Sequence, residues 1–255
     1  MPMPDNLIED YVSDLTTSVG FLTRLPLART APANGADIGR AAWAFPIAGI
    51  VVGLIGTLVY TFAYKLGLTA WPSAALSIVA TLGVTGCLHE DGFADTADGF
   101  GGGATREQKL DIMRDSRIGT YGVCALILSI LVRAGALASL GDPSMVAMAL
   151  IAAHGAARAT LPAFMALVPP ARDDGLSHAA GRPAQDRAMI AGGLGIVILA
   201  LFLGPLAGVA ALILLAGAVA AMAWLSLRQI GGQTGDVIGA LEQVGEIIVL
   251  LVALH

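Results

Sequence analysis

The chain has 255 residues, of which 56% are hydrophobic and only 13% are charged. A soluble domain of this length needs far more charged surface, so the composition indicates a polytopic membrane protein. The net charge of −5 offers no basic surface that could neutralise phosphates along a duplex, which excludes nucleic acid as a partner.

The chain begins with an amphipathic segment. Residues 6–29 place apolar residues at helical spacing with acidic residues on the other face, and Pro26 ends the pattern. The segment is too polar to cross a bilayer, so we predict a helix at the membrane interface and then a linker, together residues 1–40. The start, MPMPDNLIED, lacks the basic region and apolar core of a signal peptide, so we expect no cleavage.

Seven apolar segments follow, each about as long as the roughly 20 residues that a bilayer's hydrocarbon core requires. They are residues 41–64, 70–88, 120–140, 144–168, 188–204, 206–227 and 237–254. Only Gly204 and Pro205 separate the fifth from the sixth, so this pair forms either a hairpin or one long broken helix. We predict an all-α, polytopic membrane helical bundle of about seven transmembrane helices, folded as a single domain over residues 1–255.

Basic residues predict how the bundle is oriented. With the N-terminus in the cytoplasm, eleven of the fourteen Lys and Arg residues fall in cytoplasmic segments, as the positive-inside rule expects. The charged loops, residues 85–122, 169–187 and 228–236, then share the cytoplasmic face of a multi-pass protein of the cell inner membrane. We expect them to form one active site over the bundle.

The two cysteines predict no covalent or metal framework. Cys87 and Cys124 lie in or beside apolar runs. Two such residues give neither a disulfide pattern nor metal-site spacing, so we expect buried, reduced thiols.

The most charged stretch, residues 85–122, is interpreted as the main catalytic loop. Asp91, Asp95 and Asp98 are spaced by four and three residues and therefore share one helical face. Such carboxylates suit Mg²⁺, which proteins usually hold with one or two carboxylates and the phosphates of a substrate. His89 could bind a phosphate, act as acid or base, or hydrogen-bond an aspartate. The alternative is a solvated acidic loop.

A short cytoplasmic helix is predicted within residues 104–117, because a Thr-x-x-Gln capping box follows three glycines. Arg114 and Arg117 would share a face of this helix and could clamp phosphate oxygens in a bidentate manner, beside Asp115. Salt bridges to neighbouring acids are the alternative role for both arginines.

Ionisable residues also lie within the predicted spans. Arg158 is expensive in a membrane and should face a cavity or a partner, so we interpret it as functional. His154 is interpreted as a helix-packing residue, and Arg133 as a structural partner of another residue. Glu242 and Glu246 lie one turn apart on the interior face of the last span, as candidates for a second metal site, a base or a partner for Arg158.

The sequence motifs resemble those of the cobalamin synthase family, the adenosylcobinamide-GDP ribazoletransferases. They occur in family order along nearly the whole chain: FLTRLPL (21–27), FPIAGIVVG (45–53), HEDGFADTADG (89–99), MRDSRIGTYG (113–122), ARDDGL (171–176) and GGQTGDVIGA (231–240). The resemblance implies an integral, Mg²⁺-dependent phosphotransferase of class 2.7.8. It would join adenosylcobinamide-GDP to α-ribazole, or to its 5′-phosphate, and release GMP. A homo-oligomer is compatible with this prediction.

The resemblance also implies roles for individual residues. The ribose 3′-hydroxyl would attack phosphorus, in a reaction that depends mostly on positioning and charge neutralisation. The catalytic residues would be Asp91, Asp95 and His89. The metal ligands would be Asp91, Asp95, Asp98 and Glu242. The substrate-binding residues would be Arg114, Asp115, Arg117, Arg158, Gln233, Asp236 and Glu246.

Two other functions were weighed. A CDP-alcohol phosphotransferase of phospholipid synthesis also carries Asp-Gly and Asp-x-x-x-Asp carboxylates, but its signature has Arg where Asp95 follows Ala94 here. An ion-coupled transporter could use Arg158, Glu242 and Glu246, yet it has little use for the row of aspartates and no inverted repeat supports it.

Overall fold

The computed structural model describes residues 7–27 and 35–255, and these contain helices, turns and loops but no strand. Most of the predicted linker, and both ends of the predicted interfacial helix, lie outside the described residues. The helices are α1 Leu7–Leu22, α2 Gly35–Ala41, α3 Phe45–Lys65, α4 Ala70–Thr85, α5 Leu88–Gly102, α6 Arg106–Ile112, α7 Thr120–Leu140, α8 Pro143–Leu167, α9 Gly175–Ala180, α10 Gln185–Ile230 and α11 Gly235–Val252. A 3₁₀ turn, Ala42–Ala44, joins α2 to α3. The all-α prediction is confirmed.

Four helical segments are long and apolar enough to cross a membrane: Gly35–Lys65, Thr120–Leu140, Pro143–Leu167 and Gln185–Ile230. The pair α4 and α5, bent by 90°, adds a fifth if it is a single span. The count differs from the predicted seven for three reasons. α4 has only 16 residues, α11 carries three acidic residues, and α10 contains two of the predicted spans.

Helix α10 folds back on itself at Gly204. This residue has φ 77° and ψ 173°, outside the helical region, and Pro205 follows it. A Cβ atom on Gly208 would lie 3.1 Å from the carbonyl oxygen of Leu199. Residues nine apart in a straight helix are separated by about 13 Å. Of the two alternatives for residues 188–227, the hairpin is therefore correct.

Helix α8 is the centre of the bundle and packs against α3, α10 and α11. Its approach to α3 depends on glycine, since a Cβ on Gly49 would lie 2.1 Å from the His154 carbonyl oxygen and one on Gly53 would lie 2.7 Å from that of Leu150. Small residues permit such close contact between helix backbones in a membrane. The side chains of α8 therefore reach the middle of the molecule, and Arg158 is only 1% exposed.

Asp14 of helix α1 faces inward, whereas Glu9 and Asp10 in the first turn of the same helix are exposed. Asp14 is buried and accepts hydrogen bonds from Arg40 Nε at 2.9 Å, Trp43 Nε1 at 2.9 Å and Arg187 Nη1 at 3.3 Å. The outward face carries apolar side chains such as Ile8, which is 79% exposed. These bonds fix α1 to α2, to the 3₁₀ turn and to the start of α10.

The predicted catalytic loop, residues 85–122, is mostly helical, because α5 and α6 occupy it. The capping box of α6 is confirmed: Thr105 Oγ1 accepts from the Gln108 backbone N–H, and Gln108 Oε1 accepts from that of Thr105. The helix ends at Ile112, so the prediction that Arg114 and Arg117 share its face is wrong.

The prediction about the cysteines is wrong as well. Cys87 and Cys124 are both exposed. Apolar neighbours in the sequence indicated burial, but on membrane-spanning helices an apolar stretch also faces outward.

The polar loops of the protein converge at one end of the bundle, which we call the charged end. It comprises α5, α6, residues 113–119, residues 168–174 and residues 231–236. Arg106 of α6 is bonded to the end of α10 and to residues 168–174, since its Nε donates to the Ile230 carbonyl at 2.8 Å and its Nη2 to the Ala171 carbonyl at 2.6 Å. The Gln233 backbone N–H donates to the Pro169 carbonyl at 2.8 Å, so the two loops lie side by side.

Candidate functional site

The site is built where α5 crosses the start of α11. A Cβ on Gly92 would lie 2.8 Å from both the Cα and the carbonyl oxygen of Asp236, and one on Gly239 would lie 3.1 Å from the His89 carbonyl oxygen. Only glycine permits backbones to approach so closely. The two glycines thus bring Asp91 and Asp95 of one helix beside Asp236 of the other.

Two of the predicted aspartates have side chains without a hydrogen-bond partner among the described residues. Asp91 is exposed and Asp95 is half-buried, and neither makes a hydrogen bond or ion pair within residues 7–27 and 35–255. These residues lie on α5 beside the first turn of α11, outside the four helical segments that are long enough to cross a membrane on their own. Burial, together with the negative charges of Asp236, Asp91 and Asp98, raises the pKa of Asp95 to about 7. The cluster therefore carries repelling negative charge that a cation would relieve.

Asp98 faces away from this pair. Its Oδ2 accepts from the backbone N–H of Gly119 at 2.7 Å, and its Oδ1 from that of Gly122 at 2.9 Å. The donors are the N-cap residue of α7 and a residue of its first turn, where N–H groups lack partners within the helix. Although the sequence spacing puts Asp98 on the same face as the other two, the structure does not bring its carboxylate to the same point.

A pocket of about 240 Å³ opens beside the aspartates. Its polar wall includes His89, Asp91, Arg172, Gln233 and Asp236. Its other wall is apolar and comes from α1, α2, α3 and α8. A mainly apolar cavity with a few convergent polar groups is the usual form of a small-molecule site.

Ion pairs connect the loops around the pocket. Arg172 Nη2 donates to Asp236 Oδ2 at 3.1 Å, and Arg114 Nη2 donates to both carboxylate oxygens of Asp174 at 2.8 and 2.6 Å. Burial raises the pKa of Asp236 although Arg172 and Thr234 oppose the shift. Arg172 and Asp174 are not among the predicted site residues, and the signal for them in the sequence is the ARDDGL motif, which contains both.

Arg117 does not reach the pocket. Its guanidinium pairs with Asp115, which also accepts from the Arg117 backbone N–H at 3.1 Å. Both side chains are at the surface, so the salt-bridge alternative of the sequence analysis describes them. Their predicted binding of substrate stays a prediction.

Beneath the pocket lies a buried ionic network centred on Arg158. Its Nη1 contacts Glu242 Oε1, lies 3.0 Å from Glu246 Oε1 and donates to the His154 carbonyl at 3.1 Å. The His154 ring also contacts the Glu246 carboxylate. Of the roles considered for the two glutamates, the structure supports that of partner to Arg158. Because it is fully buried, Arg158 has no direct access to the pocket.

Arg133, Glu90 and Gln243 complete the network. Arg133 Nη1 lies 3.1 Å from both Glu90 Oε1 and Glu246 Oε2. Gln243 Nε2 donates to Glu90 and to Glu242, each at 3.0 Å. Arg133 was expected to be a structural partner, and its two ion pairs agree with that. Glu90 shows no signal in the sequence beyond its place one residue after His89.

His89 connects the network to the pocket. Its Nδ1 lies 3.3 Å from Arg158 Nη2. Because a guanidinium can only donate, Nδ1 is the acceptor, and the neutral ring then carries its proton on Nε2. His89 also lines the pocket. Because Arg158 donates to Nδ1, the His89 ring has only its Nε2–H left to offer, and this group is a hydrogen-bond donor. A donor differs from the general base that was considered for His89.

Within the part of the chain that the structure describes, two groups of side chains are candidates for holding a metal ion. His154, Glu242 and Glu246 place one ligand atom each within 4.8 Å of one another. Arg158 and Arg133 already neutralise much of their charge, so we consider this group structural. Asp91 and Asp95 offer free carboxylate oxygens beside the pocket, the donor set that Mg²⁺ prefers when a substrate phosphate completes its coordination. The fit to Mg²⁺ is therefore better at the charged end.

Comparisons with known proteins identify relatives over the whole length. The sequence model of the cobalamin-5-phosphate synthase family matches residues 14–254. An adenosylcobinamide-GDP ribazoletransferase of Bradyrhizobium diazoefficiens is 56% identical over 246 residues, which cover 96% of this chain and 95% of the relative. Proteins of the same name from Mesorhizobium japonicum and Azorhizobium caulinodans are 54% and 43% identical, covering 95% and 94% of this chain and 93% and 94% of theirs. No solved structure matches the chain.

Proposed function

The chain belongs to the cobalamin-5-phosphate synthase family, and we propose that it is an Mg²⁺-dependent adenosylcobinamide-GDP ribazoletransferase with its active site at the charged end. It joins adenosylcobinamide-GDP to α-ribazole or to α-ribazole 5′-phosphate. The observation that carries the proposal is the crossing of α5 and α11 at Gly92, where Asp91 and Asp95 remain unpaired beside a pocket.

The reaction exchanges a phosphoanhydride bond for a phosphoester bond. The ribose 3′-hydroxyl oxygen bonds to the phosphorus next to the cobinamide, the bond from that phosphorus to the bridging oxygen breaks, and GMP leaves with that oxygen. Bound Mg²⁺ would neutralise charge on the diphosphate. The hydroxyl proton passes to Asp91 or Asp95, whose carboxylates accept no hydrogen bond from any of the described residues.

Neighbouring residues bind and orient the substrates. Arg172, in the wall of the pocket, pairs with the substrate phosphates and is itself positioned by Asp236. His89 donates from Nε2 to a phosphate oxygen, while Arg158 fixes its ring from behind. Arg158, Glu242 and Glu246 therefore act through His89 and do not touch the substrate.

We place the charged end in the cytoplasm of the cell, on the inner membrane. The support is the distribution of basic residues, since Arg106, Arg114, Arg117 and Arg172 all belong to the charged end, whereas Lys65 ends α3. Arg158 and Arg133, which lie within helices, pair internally and do not bear on this orientation.

The proposal is tested by GMP release from the detergent-purified full chain, supplied with adenosylcobinamide-GDP and α-ribazole. We expect turnover with Mg²⁺ and none after chelation. Asp91→Asn and Asp95→Asn should each lower kcat by about 100-fold or more, the usual effect of losing a group that stabilises developing charge. Asp111→Asn, which removes an exposed carboxylate of α6, serves as the matched control and should leave the rate unchanged.

Binding of Mg²⁺ gives a second readout that does not depend on turnover. A ligand that binds only the folded state raises its melting temperature, so Mg²⁺ should stabilise the unsubstituted protein and Asp111→Asn but neither Asp91→Asn nor Asp95→Asn. Full turnover by both variants, or equal stabilisation by Mg²⁺ in all four proteins, would disprove the assignment of the metal.

A further inference from the structure

The pocket beside the aspartates has two chemically different halves. The half next to Asp91 and Asp236 is polar. The opposite half is apolar, and its side chains come from four elements: Phe21, Leu22, Ile38, Phe45, Leu161 and Met165. The phosphate chemistry of the proposed function uses the polar half only, so the apolar half is left without a role.

Two phenylalanines give the apolar half a specific shape. The rings of Phe21 and Phe45 lie 6.2 Å apart at an interplanar angle of 31°. Phe45 is buried, whereas Phe21 on α1 is half-buried, so one ring is fixed and the other borders solvent. Tilted rings at this separation form a wall on which a flat aromatic group can pack.

Gln233 provides an unpaired donor in the same pocket. The residue is 0% exposed, and its Oε1 accepts from Ser177 Oγ at 2.8 Å. This bond fixes the orientation of the amide, and the Nε2 group is left with no partner among the described residues. A buried amide N–H without a partner costs free energy, so a site that keeps one is built for a ligand with an acceptor atom.

The size of the pocket decides which substrate group it takes. About 240 Å³ lies below the roughly 300–1,000 Å³ of sites for drug-sized ligands, so the pocket holds a fragment and not a corrin macrocycle. Of the groups in the two substrates, the aromatic base of ribazole is flat and apolar and carries a ring nitrogen that accepts a hydrogen bond.

We propose that the apolar half, with the Gln233 amide, binds the base of the ribazole nucleoside and so directs its ribose hydroxyl toward Asp91. The inference rests on the proposed function, because that function supplies the nucleoside. It assigns substrate recognition to α1, the helix that composition alone indicated as a membrane-surface element.

The test separates the two substrates kinetically. In the full-length, detergent-purified protein, Phe21→Ala should raise the KM for α-ribazole about tenfold and leave the KM for adenosylcobinamide-GDP within twofold. Gln233→Leu, which keeps the volume of the side chain and removes the amide, should act in the same direction. Phe62→Ala, on the outer face of α3 and 65% exposed, is the matched control and should change neither constant. If Phe21→Ala does not fold, Phe21→Leu retains apolar volume while removing the ring.

Calorimetric titration of α-ribazole into the protein without the second substrate measures the same site directly. Binding that Phe21→Ala and Gln233→Leu weaken, in a protein that releases no GMP, would support the nucleoside site while the proposed function fails. Turnover in which these variants change only the KM for adenosylcobinamide-GDP, or change neither KM, would overturn the inference and leave the proposed function intact. Phospholipid that copurifies with the unsubstituted protein but not with Phe21→Ala, with an unchanged KM for α-ribazole, would overturn it as well.

Discussion

Replacing Arg158 by methionine tests whether the buried network is structural. The side chain is 1% exposed, contacts Glu242 and lies 3.0 Å from Glu246 Oε1. Arg158→Met removes the ion pairs of both buried carboxylates with residue 158. The neighbouring Arg133 forms an ion pair with Glu246 but not with Glu242. Removing one partner of a buried ion pair costs about 3–5 kcal/mol, because the remaining charge is left uncompensated.

A double variant distinguishes a lost ion pair from lost packing. Arg158→Met with Glu242→Gln removes the cation together with one of its anions, and exchanges of this kind are often close to neutral. We therefore expect most of the lost stability to return. Arg114→Met is the surface control: its ion pair with Asp174 is largely exposed, so its loss should cost under about 1 kcal/mol.

Thermal unfolding in detergent measures these differences through tryptophan fluorescence. At about 2–4 °C for each kcal/mol in chains of this size, Arg158→Met should melt on the order of 6–20 °C below the unsubstituted protein. A melting point as high as that of Arg114→Met, or a double variant less stable than Arg158→Met, would refute the reasoning. If the double variant is stable but its KM for adenosylcobinamide-GDP rises at least tenfold, on the order of 1.4 kcal/mol, Arg158 binds phosphate directly.

Three further predictions follow from the charged end. Gly92→Ala should reduce GMP release severely, because its Cβ would lie 2.8 Å from the Asp236 backbone. The control is Gly83→Ala, whose Cβ would meet nothing within 4 Å and which should leave the rate of GMP release unchanged. Equal rates for the two variants would contradict the close helix crossing. Without divalent cations, the raised pKa of Asp95 means that the folded state binds the proton more tightly than the unfolded state, so stability falls as pH rises from about 4 to about 7. Asp95→Asn should flatten this dependence, and identical melting profiles across that range would exclude it. To test the orientation, Cys87 and Cys124, which are exposed, are first replaced by serine. Asp173→Cys in that background should react with an impermeant thiol reagent in inside-out vesicles only, and labelling in right-side-out vesicles alone would reverse the topology.

Patterns that act within one helix were predicted correctly from the sequence. Composition fixed the all-α membrane class, because backbone groups in a bilayer must be satisfied within the segment itself. The Thr105 capping box formed as expected, and Glu242 and Glu246 face inward together because residues four apart share a helical face. In each case the residues that interact are neighbours in the chain.

Features that depend on a distant part of the chain could not be predicted in this way. Asp98 shares a face with Asp91, yet α7 takes its carboxylate because unpaired N–H groups at Gly119 and Gly122 lie within reach. Asp14 faces inward because its carboxylate forms ion pairs with Arg40 and Arg187, which belong to other helices.

Thus the sequence by itself determined the membrane class, the helical content and the types of side chain that serve the site. Only the tertiary structure decided which carboxylates remain free, which arginine is buried and where the pocket opens. The physical reason is that spacing along a helix defines a face, whereas the partner of that face is chosen by packing among helices. Here the choice rests on Gly92 and Gly239, which let α5 and α11 meet.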